Sequence, residues 1–128
     1  MALPADRKLQ HIAAANIAAF TALAITRRES MFGRRINIAG DEITGNELAP
    51  ILSQATGHQV DYVALPPAAL RGNPMGDDLA TMFEWFDRVG YSADVEGLRR
   101  DYPEVGWLRV AEWAPAQSWA AAPGAAGG

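Results

Sequence analysis

The feature that most constrains the fold is an explicit helix start at Thr44. Residues 44–47 read Thr-Gly-Asn-Glu, a capping box in which the Thr44 hydroxyl accepts from the Glu47 amide and the Glu47 carboxylate accepts from the Thr44 amide. Apolar residues then recur at helical spacing on one face, at Leu48, Ile51, Leu52 and Ala55. Gly57 suits the left-handed conformation that ends many helices. The sequence therefore predicts an amphipathic helix between the capping box and Gly57.

The residues before this helix predict a buried strand. Ile36 and Ile38 alternate with polar or small neighbours, and Gly40-Asp41-Glu42 has the composition of a turn. A strand that is nearly all apolar usually has both of its faces covered. Too few other elements are predicted to cover it, so we expect a partner that completes the sheet, either a second copy of the chain or another protein.

The rest of the chain alternates between strand and helix patterns. Strands are predicted at Leu9–Ala13 and Val60–Leu65, with Pro66-Pro67 ending the second. Helical segments are predicted from Asn16 as N-cap to Arg28, over Ala68–Arg71, from Asp77 or Asp78 as N-cap to Gly90, from Asp94 as N-cap through Leu98, and over Trp107–Trp113. The expected fold class is α/β, a partial Rossmann-like lobe with about three short strands and four to five helices.

Composition narrows the domain organisation and the partners. With 128 residues the chain forms one domain at most, predicted over residues 1–113, and the Ala/Pro/Gly-rich residues 114–128 are predicted to be disordered. A net charge of −4 and the absence of a basic stripe argue against nucleic acid. No apolar run is long enough to cross a bilayer, so no membrane association is expected. The absence of cysteine fits a cytoplasmic location.

The order of several short motifs resembles the C-terminal half of NmrA-like proteins, which are atypical short-chain dehydrogenase/reductases. The similarity extends from about Leu3 to Trp113, and five segments carry it: residues 16–20, 33–44, 57–60, 82–86 and 90–94. It implies an NAD(P)-binding family that includes redox-sensing regulators and quinone or isoflavone-type reductases. It also implies a substrate lobe that contacts flat apolar ligands.

The chain departs from the pattern of this family where the cofactor and catalysis are concerned. It has no glycine-rich phosphate loop after a strand and no Tyr-x-x-x-Lys pair, so we expect that this chain alone binds no dinucleotide, although the family uses NADP or NAD. Asn16 stands where family members usually carry Asp, and an asparagine there still fits an N-cap.

Several side chains could line a ligand pocket. The candidates are His11, Tyr62, Met82, Phe83, Phe86 and Tyr91. Of these, Met82, Phe83 and Phe86 suit both core packing and an aromatic pocket wall. His58 and the acids at Asp77 and Asp78 are expected to be a solvated turn and helix caps. Neither histidine has a metal-ligand partner at i+4, so no metal site and no catalytic residue is assigned.

The expected function is a substrate- or partner-binding lobe without its own dinucleotide site, acting as a regulatory or ligand-binding subunit. The expected partners are a small apolar ligand and either a protein partner or a second copy. The alternatives are an NAD(P)H-dependent oxidoreductase that needs a separate Rossmann half, a cofactor-free isomerase or cyclase, and a fragment without function.

Overall fold

A computed structural model describes residues 1–119 of the chain. Within those residues the fold is mixed α/β, with six helices and a two-stranded antiparallel sheet. The α/β class is therefore confirmed. The expectation of three strands is wrong for this part of the chain, and no parallel, Rossmann-like strand pairing is formed there.

The sheet consists of β1 (Lys8–His11) and β2 (Asp41–Thr44). Lys8 pairs with Thr44 and His11 with Asp41, so the predicted turn at residues 40–42 is instead the start of a strand. The predicted strand at Ile36–Ala39 does not pair with another strand. β1 is too short to reach it, because β1 ends at His11 and the chain then enters α1.

Two helices follow β1, namely α1 (Ala14–Thr26) and α2 (Arg28–Met31). The predicted N-cap of α1 was wrong, because Ala13 holds that position and Asn16 lies one turn inside the helix. The Asn16 side chain is only 3% exposed and bonds to a distant segment of the chain. Asn16 thus joins two parts of the fold rather than capping one helix.

The capping box at Thr44 is confirmed and opens α3 (Gly45–Thr56). The Glu47 amide donates to Thr44 Oγ1 at 3.2 Å, and the Thr44 amide donates to the Glu47 carboxylate at 2.8 Å. Gly57 ends the helix with a φ of 73°, a left-handed conformation that glycine adopts without strain.

The segment after α3 differs in part from its predicted structure. Val60–Leu65 is not a ladder strand, although the Leu65 amide donates to the Met1 carbonyl at 3.0 Å. A 3₁₀ turn follows at Pro67–Leu70, and α4 covers Pro74–Arg88. Asn73 caps α4 through Gly76, in place of the predicted Asp77 or Asp78, because Pro74 fixes the first helical position.

The C-terminal part of the described chain consists of short helices. Asp94 caps α5 (Val95–Asp101), as predicted, and a 3₁₀ turn follows at Pro103–Val105. The last helix, α6 (Val110–Trp113), continues into a 3₁₀ turn at Ala114–Ala116, in which Ala114 is fully buried. Of the predicted disordered tail, residues 120–128 lie outside the described residues.

One buried cluster holds α1 and α5 together. It comprises Phe20, Leu98, Val105 and Trp107, which we call the Trp107 core. The Trp107 indole N–H donates to the carbonyls of Leu98 and Tyr102 at 3.1 and 3.0 Å, so this large side chain is buried without an unpaired donor. Ile36 and Ile38 pack against the same core.

Candidate functional site

A large concavity opens between the start of α1, one face of α3 and the α6 segment. We call it the α1–α3 cleft, and its volume is about 530 Å³. It is lined by His11, Ile12, Ala13, Ala14, Leu48, Leu52, Leu108, Val110, Trp113, Gln117 and Trp119. Its walls are therefore almost entirely apolar, and His11 is the one titratable side chain among them.

Local sequence explains how each wall is positioned. The capping box fixes the start of α3, so that Leu48 and Leu52, one turn apart, point to the same side. β1 ends at His11 and leads through Ile12 and Ala13 into α1, which places that strand end at the cleft. The first turn of α1 has no side-chain cap.

Asp41 holds the third wall in place. Its carboxylate is buried, at 5% exposure, and accepts from the Val110 amide at 2.9 Å and from the Arg109 guanidinium at 3.3 Å. The second of these contacts is an ion pair whose arginine is nearly half exposed. Asp41, at the start of β2, thereby fixes the position of the α6 segment, which forms part of the cleft wall.

Asn16 makes a second long-range connection behind the cleft. Its side-chain amide donates to the Gly106 carbonyl at 3.1 Å and more distantly to the Val105 carbonyl, while its carbonyl accepts from the Leu108 amide at 2.8 Å. An aspartate could not donate to either carbonyl. Asparagine is thus the residue that this junction requires.

Burial lowers the pKa of His11 below its ordinary value of 6.5, because desolvation disfavours the imidazolium. The nearby Asp41 carboxylate opposes that effect without cancelling it. The imidazole is therefore neutral at pH 7 and offers one donor and one acceptor to the cleft. It can hydrogen-bond a carbonyl or a hydroxyl group without placing a charge beside the apolar walls.

Aromatic side chains form the outer wall near the end of the described chain. The Trp113 and Trp119 rings meet edge to face, with centroids 5.9 Å apart. The Trp119 indole N–H donates to the Ala114 carbonyl at 2.7 Å, which fixes the ring although 40% of the residue is exposed. Flat aromatic surfaces of this kind favour planar apolar ligands.

The predicted site residues are spread over several places. His11 lies in the α1–α3 cleft, whereas Tyr62 donates its hydroxyl to the Leu3 carbonyl at 2.7 Å. Tyr91 is 61% exposed and lines a separate groove of about 360 Å³ beside His11. Met82, Phe83 and Phe86 lie on α4 and line neither of these concavities.

Several cleft residues were not among the predicted site residues. Leu48 and Leu52 belong to the apolar face that identified α3, and their helical spacing was the available signal. Trp119 had a weaker signal, because the sequence predicts a disordered tail from residue 114 onward. The contact that brings α6 to α3 depends on Asp41, a residue about seventy positions away in the chain.

A sequence model of the NmrA-like family matches residues 1–114. The chain belongs to the NmrA-like family. No match to a curated protein was found. The NmrA-like family is related to NAD(P)-binding oxidoreductases, and its members are known to bind NAD(P).

Two glycines of this NmrA-like chain lie in the first turns of helices and are closely packed. A Cβ at Gly45, the first residue of α3, would lie 2.5 Å from the Tyr62 ring, so this glycine is required by packing. A Cβ at Gly76 would lie 2.0 Å from the Leu70 carbonyl oxygen. The amide of Thr44, the N-cap of α3, donates to the Glu47 carboxylate. At the starts of α3 and α4 these glycines are therefore explained by packing.

Two further features are absent from residues 1–119. No cluster of three or more histidine, cysteine or acidic side chains is placed to hold a metal ion there. None of the helices in that range is both long enough and apolar enough to cross a membrane.

Proposed function

We propose that this chain is the small-molecule-binding lobe of an NmrA-like protein, acting as a ligand-binding or regulatory subunit without its own dinucleotide site. The α1–α3 cleft would receive a flat apolar molecule. The observation that carries the proposal is an apolar cavity of about 530 Å³ with a single titratable side chain, His11, in its wall.

The size and chemistry of the cleft agree with this function. Small-molecule pockets usually have volumes of about 300–1,000 Å³ and mainly apolar walls with a few polar groups that orient the ligand. Here the apolar walls come from Leu48, Leu52 and Trp113, and His11 is the orienting group. A neutral imidazole selects a ligand that carries a carbonyl or hydroxyl at one edge.

The family match also supports a second candidate, an NAD(P)H-dependent oxidoreductase. In that case a separate Rossmann half would supply the cofactor and the α1–α3 cleft would be the substrate side. The two candidates differ in whether a Rossmann half joins the chain, and both expect the chain by itself to lack a dinucleotide site. Calorimetric titration of the chain alone with NADPH should therefore give no heat of binding, and micromolar binding would contradict the absence of that site.

The cleft is tested by titrating the full chain with menadione, a flat naphthoquinone, in a calorimeter. Ala14→Leu places a larger side chain at the cleft wall and should weaken menadione binding by about tenfold or more, through steric exclusion. Ala18→Leu makes the same change one turn further along α1, away from the cleft, and should leave the affinity within about twofold. Equal losses in both variants would contradict the proposed cleft.

The role of His11 is tested with a pair of probes. His11→Leu should weaken menadione about three- to tenfold, which is the value of one hydrogen bond. It should leave binding of 2-methylnaphthalene, which has the same ring system without carbonyls, unchanged or stronger. If both probes lose affinity equally, His11 contributes shape rather than a hydrogen bond.

A further inference from the structure

One exposed serine of this chain lies directly after a pair of arginines. Ser30 follows Arg27-Arg28-Glu29, and it is the only serine or threonine of the sequence with basic residues both two and three positions before it. Kinases that prefer basic substrates select this spacing, because carboxylates in their substrate groove bind the two guanidinium groups. The pattern therefore marks Ser30 as an acceptor for a phosphoryl group.

The structure leaves the Ser30 hydroxyl accessible. Ser30, Arg27 and Arg28 are all exposed. Ser30 belongs to α2, a single helical turn that has no side-chain cap and no fully buried residue. Within residues 1–119 the hydroxyl makes one hydrogen bond, to the Arg27 carbonyl at 3.1 Å. A kinase holds its substrate in an extended form, and one isolated helical turn is easily unwound.

The basic side chains around Ser30 form a local positive patch. Residues 27–35 contain four arginines and one glutamate, a net charge of +3 in a chain whose net charge is −4. Arg28, Arg34 and Arg35 are exposed and make no ion pair within residues 1–119. Guanidinium groups without a partner are available to a kinase before the reaction and to a phosphate after it.

We propose that Ser30 is a phosphorylation site for a serine/threonine kinase that recognises basic substrates. The Ser30 Oγ attacks the γ-phosphorus of ATP, the bond between that phosphorus and the β,γ-bridging oxygen breaks, and the hydroxyl proton passes to the catalytic carboxylate of the kinase. ADP leaves, and the serine carries a phosphate with a charge of about −2. This inference does not depend on the proposed function.

The phosphate changes the ion pairs beside α2. Arg27 lies one turn before Ser30 and pairs with Glu104 at 2.9 Å. Both side chains of that pair are about half exposed, so the contact is weak and the dianion displaces Glu104. Arg34, four residues after Ser30, supplies a second guanidinium. Phosphorylation thus separates the end of α1 from the 3₁₀ turn that carries Glu104.

Incubation of the full chain with ATP and the purified catalytic subunit of cyclic-AMP-dependent protein kinase tests the proposal. Intact-mass spectrometry should show one added phosphate, and fragment spectra should locate it at Ser30. Ser30→Ala should abolish the addition. Replacing both Arg27 and Arg28 by Gln should slow it by about tenfold or more, whereas replacing Arg34 and Arg35 by Gln should leave the rate within about twofold, because they follow the serine.

A synthetic peptide of residues 24–36 separates the effect of the fold from that of the sequence. Phosphorylation of this peptide without phosphorylation of the full chain would overturn the proposal, because the fold would then shield Ser30. Equal rates at Ser30 and at another serine of the full chain would also overturn it.

Phosphorus NMR of the phosphorylated chain measures the new ion pairs. The second pKa of phosphoserine is ordinarily about 6, and guanidinium partners should lower it. Arg34→Gln should move this pKa back toward its ordinary value. A pKa at or above about 6 in the unmutated chain would contradict the pairing with Arg27 and Arg34.

Discussion

Two aromatic clusters in this protein have similar ring geometry and opposite degrees of burial. In the Trp107 core, Phe20 and Trp107 lie 5.9 Å apart between ring centroids and are at most 9% exposed. On residues 66–91, which we call the α4 arm, Phe86 and Tyr91 lie 5.5 Å apart, and Tyr91 is 61% exposed. Aromatic density alone does not decide which cluster becomes a core.

The difference lies in the polar bonds that surround each cluster. Around the Trp107 core, three polar side chains hydrogen-bond to backbone groups that are distant in the sequence, and so connect separate elements. They are Asn16, Asp41 and Arg99. The α4 arm is joined to β1 and its neighbours mainly through Arg7, which donates to the carbonyls of Phe86 and Val89 at 3.3 and 3.5 Å. We infer that buried polar groups fix the site region, and that the arm is the less stable part.

The largest predicted effect is the difference in unfolding free energy lost when one aromatic side chain of each cluster is replaced by alanine. Trp107→Ala should lower the free energy of unfolding by about 3–5 kcal/mol, because it leaves a large cavity and two carbonyls without their donor. Phe86→Ala, at a half-buried position of the arm, should cost less than half as much. Urea denaturation monitored by circular dichroism measures both. Equal losses of unfolding free energy in the two variants would contradict the proposed difference in stability between the Trp107 core and the α4 arm.

The next effect concerns the polar junction at Asn16. Asn16→Asp replaces the donor that faces two backbone carbonyls by a carboxylate, and it should cost about 2–3 kcal/mol of stability. The matched control is Asn46→Asp, which makes the same change on the exposed first turn of α3. An acid near a helix N-terminus is mildly stabilising, so the control should lie within about 0.5 kcal/mol of the wild type.

A smaller loss of stability is expected when the hydrogen bonds between Arg7 and the α4 arm are removed. Arg7→Met removes the two bonds to the end of α4 but keeps much of the apolar stem. Global stability should fall by about 1 kcal/mol or less. Amide exchange should accelerate in α4 and remain unchanged in α3 and α5, which native-state exchange resolves by residue. Uniform acceleration would show that the arm and the core unfold together.

The smallest effect is a pH dependence that arises at His11. Burial lowers its pKa in the folded state, so the unfolded chain binds the proton more readily. Well above pH 6.5 the imidazole is neutral in both states, so His11 should not make the free energy of unfolding depend on pH there. Stability should be lost as the pH falls from about 6.5 toward the lowered pKa of the folded state. His11→Gln should flatten this part of the curve.

Proton NMR measures the pKa directly. His58→Gln leaves His11 as the single histidine and so assigns its imidazole signal. A midpoint at or above 6.5 would contradict the buried, neutral imidazole that the cleft requires.

Three local signals in the sequence predicted local structure correctly, although the N-caps predicted for α1 and α4 were wrong. The capping box at Thr44, the left-handed Gly57 and the Asp94 cap each involve residues a few positions apart. The strand at Ile36 was predicted from alternation alone, and that pattern contains no information on where β1 ends. Pairing depends on a residue about thirty positions away, so the sequence could not show that the ladder starts at Asp41.

The site was predictable only in part for the same reason. His11 is a candidate from sequence because it lies on the predicted first strand, where its side chain can point into a pocket. The other candidates on α4 were chosen for apolar density, which indicates burial or an interface but not a cavity. The cleft forms where α1, α3 and α6 meet, and this junction is produced by long-range bonds to Asp41 and Asn16.

The central claim is that a ligand binds in the α1–α3 cleft, where buried polar groups hold the walls, and not on the aromatic face of the α4 arm. Amide and indole chemical-shift mapping of the full chain with menadione tests this claim most directly. We predict that the largest shifts fall on His11, Ala14 and Leu48 and on the indole N–H of Trp113. Largest shifts on Phe83, Phe86 and Tyr91 would contradict the account.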